Sequence, residues 1–120
     1  MAEPMTLDQI RDRIAEMAGC KRTIWFWGMS TNRSLTLRSR NPIQPSLDWL
    51  VRVWPEGWEW TQYWGDWKAY VAFGQTLDVD GTNDELTDRM SLLLKVLDWL
   101  KSNDLPAFTD AIEKIRKEVR

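Results

Sequence analysis

With 120 residues, 43% of them hydrophobic and 28% charged, the chain has enough apolar surface to offset ordering entropy and the length for one core, so residues 1–120 are read as a single α+β domain. One cysteine, Cys20, and no histidine exclude an intrachain disulfide, the usual zinc sites and Ser/His or Cys/His catalysis. No run approaches the roughly 20 apolar residues that cross a bilayer, and Asp8, Asp12 and Glu16 stand where a signal peptide needs an apolar stretch, so the expectation is a cytoplasmic protein with no membrane association.

Thr6 and Gln9 have the spacing of a capping box, with Met5 and Ile10 at hydrophobic-staple positions. Leu7, Ile10, Ile14 and Met17 share one helical face, and Gly19 can take the left-handed conformation that ends a helix, which predicts a first helix over about residues 7–18. Thr23 to Trp27 are β-branched or aromatic in succession and predict a strand covered on both faces, closed by Gly28. From Ser30 to Arg40 only Leu35 and Leu37 could join a core. A mobile basic loop and a short edge strand beside the first strand are both compatible with that segment.

After the Asn41-Pro42 and Pro45 turn signals, Ser46 is a good N-cap, and Leu47, Leu50, Val51 and Trp54 fall at i, i+3, i+4 and i+7. These predict a short second helix stopped by Pro55-Glu56-Gly57. A hairpin follows, with arms Trp58 to Tyr63 and Trp67 to Phe73 around Trp64-Gly65-Asp66. In its second arm Trp67, Ala69, Val71 and Phe73 alternate onto one face. Asp78 to Asn83 has an Asp-x-Asp-Gly run, but Thr76 and Thr87 occupy the positions where an EF-hand needs acids, so a solvated turn is expected and no metal. Thr82 and Glu85 have capping-box spacing, and Leu86, Met90, Leu93, Leu94, Leu97 and Leu100 line a long third helix ending near Lys101. Asp104 caps a fourth helix with Pro106 in its first turn and Phe108, Ala111, Ile112, Ile115 and Val119 as its stripe. The predicted order is α-β-α-β-β-α-α, with a small antiparallel sheet of three strands, or four if residues 35–40 pair.

Charge is segregated. Residues 17–47 carry Lys21, Arg22, Arg33, Arg38 and Arg40 and no acid, whereas residues 56–88 carry eight acids against Lys68. An isoelectric point near 5.1 argues against a general nucleic-acid binder and leaves small anions as ligands. Paired carboxylates such as Asp78 and Asp80 or Glu56 and Glu59 have no nucleophile or metal cluster beside them, so no enzyme activity, catalytic residue or cofactor is expected.

Nine tryptophans are the most unusual feature. Burial of each ring, about 150–250 Å², favours core roles for most of them. The hairpin nevertheless gathers more rings than one buried face can take, so several are expected at the surface as a binding patch. Trp58, Trp60, Tyr63, Trp64, Asp66 and Trp67 form the candidate partner-binding set. A second set combines rings for a base with guanidinium groups for phosphates: Arg22, Trp25, Trp27, Arg33, Arg38 and Arg40.

Pro45-Ser46-Leu47-Asp48-Trp49-Leu50, Gly57-Trp58, Trp67-Lys68-Ala69-Tyr70 and the helix from Thr82 to Leu100 resemble the middle helix, following strands and last helix of the phage ABA sandwich domain. The resemblance covers residues 7–101, and the chain adds a fourth helix. It implies a small accessory protein of a phage or prophage, working in the host cytoplasm by occupying a host defence protein or capturing a signalling nucleotide. The function expected is inhibition of a host protein through the Trp-rich, partly acidic surface; the alternatives are sequestration of a small anionic nucleotide through the Arg and Trp set and self-assembly into a homo-oligomer with the exposed rings as subunit contacts.

Overall fold

Helix capping and strand alternation build most of the elements where the sequence places them. In the computed structural model residues 5–19, 23–29, 35–40, 43, 45–71, 74–82 and 84–118 are described, with 23–29 and 35–40 described by backbone alone. The order is α1 (Leu7–Met17), β1 (Thr23–Met29), β2 (Leu35–Arg40), α2 (Leu47–Val53), β3 (Trp58–Tyr63), β4 (Asp66–Val71), β5 (Thr76–Val79), α3 (Glu85–Asn103) and α4 (Leu105–Lys117). The fold is α+β, with four helices and a three-stranded antiparallel sheet in the order β3-β4-β5. β1 and β2 form a separate antiparallel pair.

The α1 capping box is present: Thr6 Oγ1 accepts from the Gln9 N–H at 3.2 Å, and Gln9 Oε1 accepts from the Thr6 N–H at 2.9 Å. Gly19 ends the helix at φ 71°. The α1 end is then tied down from the far end of the chain, because Arg116 Nε donates to the Ala18 carbonyl at 2.6 Å. Lys114 Nζ donates in the same way to the Trp54 carbonyl beyond α2, at 3.3 Å. Cations on the last turns of α4 thus satisfy the carbonyl ends of two other helices.

α3 is the hub. It touches α1, α2, α4, β4 and β5, and Met90, Leu92, Leu93, Leu94, Val96, Leu97 and Leu100 are all buried along it. A helix with sheet on one side and helices on the other is apolar over most of its circumference. No helix among the described residues is long and apolar enough to cross a membrane.

Several local expectations are corrected. Gly28 does not close β1; it lies inside the strand, where the register shifts between Trp27 and Met29, the usual place for glycine in a bulge. Residues 35–40 are the edge strand, not the loop. α2 is capped by Ser46, whose Oγ accepts from the Trp49 N–H at 3.1 Å, but it buries Trp49, Leu50 and Val53. Leu47 and Val51 face solvent, Val51 at 63% exposure. Seven residues carry two overlapping apolar stripes, and the stripe holding the larger ring is the one buried. Asp78 and Val79 belong to β5 rather than to a turn, since the free edge of β4 recruits Thr76–Val79 as a third strand.

The Thr82/Glu85 capping box does not form. Asp84 is the N-cap of α3, and its carboxylate accepts the Thr87 hydroxyl at 2.6 Å. Thr82 is instead bound by Asp88, as described below. Phe73 and Val119, the Asn41-Pro42 turn and Cys20 lie outside the described residues.

Candidate functional site

The β3–β4 hairpin closes through two residues, Trp64 and Gly65, between the paired Tyr63 and Asp66. Their φ values of 53° and 85° define the type I′ turn that matches strand twist, a turn ordinarily made by Asn-Gly or Gly-Gly. A tryptophan in the left-handed region carries a steric cost of about 1–2 kcal/mol, and nothing in the core repays it. Its side chain is 86% exposed. Tyr63 beside it is also exposed and meets the indole edge-on, with ring centroids 5.9 Å apart.

Behind the turn lies a cleft of about 340 Å³. Its acidic lining comes from Asp66, Glu85 and Asp88, and its aromatic lining from Trp64 and Trp67. Three interactions set its shape. The Gly81 N–H donates to Asp66 Oδ1 at 3.1 Å. Asp88, only 3% exposed, accepts the Thr82 N–H at 3.0 Å and the Thr82 hydroxyl at 2.5 Å. Its position in the first turns of α3 also lets the helix dipole favour a carboxylate there. Arg89 forms the third tie: its Nη1 is 3.2 Å from Glu85 Oε1, and its guanidinium carbon lies 4.1 Å from the Trp60 centroid and 5.0 Å from that of Trp67. Arg89 Nε is buried with no hydrogen-bond acceptor, so the ring faces supply much of what holds the cation. Three acids against one already paired guanidinium leave the cleft electronegative, which suits a cationic side chain flanked by indole rings.

The six hairpin residues singled out in the sequence divide sharply. Tyr63 and Trp64 are exposed, and Asp66 is half-buried at the cleft. Trp58 and Trp67 are buried in the core, and Trp60 is half-buried beneath Arg89. Trp58 packs edge-on against Trp99 with centroids 5.4 Å apart, and Trp60 against Trp54 at 4.4 Å. The expectation of several exposed indoles is therefore corrected: among the described side chains Trp64 is the one largely exposed tryptophan. One sheet face takes Trp58, Trp60, Trp67 and Ala69 toward α3, and the residues left for the other face are Glu59, Thr61, Lys68 and Tyr70. Glu85, Asp88, Arg89 and Gly81 were absent from the candidate set. Glu85 and Asp88 belonged to the acidic run, but only folding brings the start of α3 beside the hairpin tip.

Of the second set, Arg22 and Arg33 lie outside the described residues. The backbone places Trp25 opposite Arg38 and Trp27 opposite Thr36, with Arg40 opposite Thr23. Among the described residues no group of three or more His, Cys, Asp or Glu side chains is arranged to hold a metal ion. No family model, curated protein or solved structure matches the chain.

Proposed function

We propose that the protein acts by binding rather than turnover, and that the β3–β4 tip is the surface it offers to a protein partner bearing a lysine or arginine. The observation that carries this is Trp64, a ring held in a costly left-handed conformation and left almost wholly in water. Strain at an exposed position is a feature of binding surfaces, and tryptophan is the residue most enriched among interface anchors. The acidic cleft beside it supplies the second half of the recognition, a receptor for a cation. Exposed acids elsewhere in residues 56–88, including Glu56, Glu59, Asp78, Asp80 and Asp84, steer a basic partner toward the tip. The narrower assignment, a phage or prophage accessory protein that inhibits a host defence protein, is carried by the resemblance of residues 7–101 alone.

Affinity capture with the immobilised full chain tests this. A basic protein retained by the wild type, released by salt and lost from both Trp64→Ala and Asp66→Lys is the expected result. Retention that is indifferent to both changes would remove the tip from the interface. A mass that rises with concentration in light scattering and falls to the monomer in Trp64→Ala would make a second copy of this chain the partner.

A further inference from the structure

The two edges of the β3-β4-β5 sheet are finished differently. In an antiparallel ladder each residue points both its N–H and its C=O either into the pair or away from it, in alternation. Two bonds fix the phase. The Val71 N–H donates to the Gln75 carbonyl at 3.2 Å, on the β5 side, so Val71 and its opposite number Trp58 turn their main-chain groups away from each other. The Trp58 carbonyl, directed outward in consequence, accepts from Trp54 Nε1 at 2.7 Å. By alternation Trp58, Trp60 and Gln62 face out from the β3 edge, and Thr76 and Asp78 from the β5 edge.

On β5 both outward carbonyls are occupied by side chains: Gln75 Nε2 donates to that of Thr76 at 3.2 Å, and Lys95 Nζ to that of Asp78. On β3 Trp58 is closed as well, its N–H donating to the Pro55 carbonyl at 3.4 Å. Trp60 and Gln62 have no main-chain partner on that side among the described residues. An edge left unpaired is a template for another strand.

We propose that the β3 edge at Trp60 and Gln62 takes a basic, extended segment of the protein partner as a fourth strand of the sheet. This rests on the reading of the tip as a receptor for a cation, and it says how the cation is delivered. Gln62 lines the cleft together with Trp64, Asp66 and Glu85. A residue paired opposite Gln62 carries its side chain on the same face, with the Cβ atoms about 4.5–5.5 Å apart, so a lysine or arginine there extends toward the acids. Two residues on in an antiparallel strand, the side chain opposite Trp60 meets the packed indoles of Trp60 and Trp54, which suits an apolar residue. The segment recognised therefore reads basic-x-apolar, with main-chain bonds supplying affinity and the alternate side chains specificity. A second copy of this chain is a poor fit. β3 carries Glu59 and no basic residue, and pairing two copies through it brings two acidic clefts together.

The probe is the end-capped peptide Thr-Lys-Thr-Val-Thr, titrated into the full chain by nuclear magnetic resonance with amide exchange as a second readout. Saturable binding is expected, with slowed exchange at the Trp60 and Gln62 amides. N-methylation of the peptide's lysine, whose N–H faces Gln62, should weaken binding by about ten-fold. N-methylation of its central threonine, whose N–H faces away, should leave binding unchanged. Gln62→Pro removes an outward donor that the β3–β4 ladder does not use and should weaken binding as much as the methylated lysine, whereas Gln62→Thr keeps the N–H and stays close to wild type. No binding at millimolar peptide, or equal loss from the two N-methylated peptides, overturns the added strand without relying on any variant's folding. Loss in Asp66→Lys with indifference to Gln62→Pro and to both methylations also overturns the strand while the tip reading stands. Loss in Gln62→Pro with indifference to Asp66→Lys supports the strand and removes the cleft reading instead. Protection of the Gln62 amide that rises with protein concentration, without peptide, overturns the proposal in favour of a second copy.

Discussion

Gly81 donates its main-chain N–H to Asp66 Oδ1 at 3.1 Å, and a Cβ at Gly81 would fall on the carbonyl oxygen of Gly65. The loop before α3 is in this way seated directly on the hairpin tip, which makes the cleft a product of one close backbone approach. Glycine is required there by space, without any left-handed φ.

Gly81→Ala is accordingly expected to push the loop off the tip, losing the Asp66 hydrogen bond and destabilising by about 1–3 kcal/mol. Urea unfolding checks the magnitude. Partner capture should weaken at the same time, because the cleft opens while Trp64 remains exposed.

Trp64→Asn should do the reverse for stability. Asparagine tolerates the left-handed region, so the change relieves strain and raises stability by about 0.5–1 kcal/mol, at the loss of one edge-on contact with Tyr63. A gain in the thermal midpoint together with a loss of partner retention is the expected pair of results. Lower stability in Trp64→Asn would mean that the indole contributes to the fold.

Arg89 and Trp60 should be coupled. Removing the cation or the ring costs their mutual attraction, about 0.5–2 kcal/mol. A double-mutant cycle of Arg89→Met and Trp60→Leu isolates that value from packing losses. Arg89→Lys is expected to recover only part of it, because a compact ammonium cannot lie across Trp60 and pair with Glu85 as a planar guanidinium does.

Tyr70 stands directly opposite Glu59 on β3, and its phenol is held above the ordinary 10.0 by donating a hydrogen bond to that carboxylate, then by the carboxylate's charge and by slight desolvation. Deprotonation breaks the bond and sets two negative charges side by side. The folded state therefore holds this proton more tightly than the unfolded chain does. The stabilising contribution is present below pH 10.0 and is lost as pH rises through the raised value. Glu59→Gln should bring the phenol back toward its ordinary value, as read by ultraviolet titration in a Tyr63→Phe background.

α1 and α4 were legible because their signals are short-range: Thr6 and Gln9 cap within one turn, and Asp104 Oδ1 accepts from Ala107 three residues on, at 3.3 Å. The hairpin was legible from its alternating arms, but its register was not: the sequence places Asp66 in a three-residue turn, whereas it pairs with Tyr63 and leaves a two-residue loop of Trp64 and Gly65. The candidate site was legible in part. Trp64 and Asp66 lie within the turn region that the sequence marks, but Glu85, Asp88 and Gly81 join them across the fold.

The amino-acid order alone determined the α+β class, the four helices, the hairpin and the polarity of its charge. Tertiary structure decided which surfaces each element shows. Trp49 and Val53 won the buried side of α2 over Leu47 and Val51 because neighbouring helices offered more apolar area there. Thr82 left a capping role for Asp88 because a buried carboxylate needs donors more than a helix end beside an acidic N-cap does. Burial of Trp58 and Trp67 likewise depended on α3 lying over one face of the sheet, a long-range packing event that no local periodicity encodes.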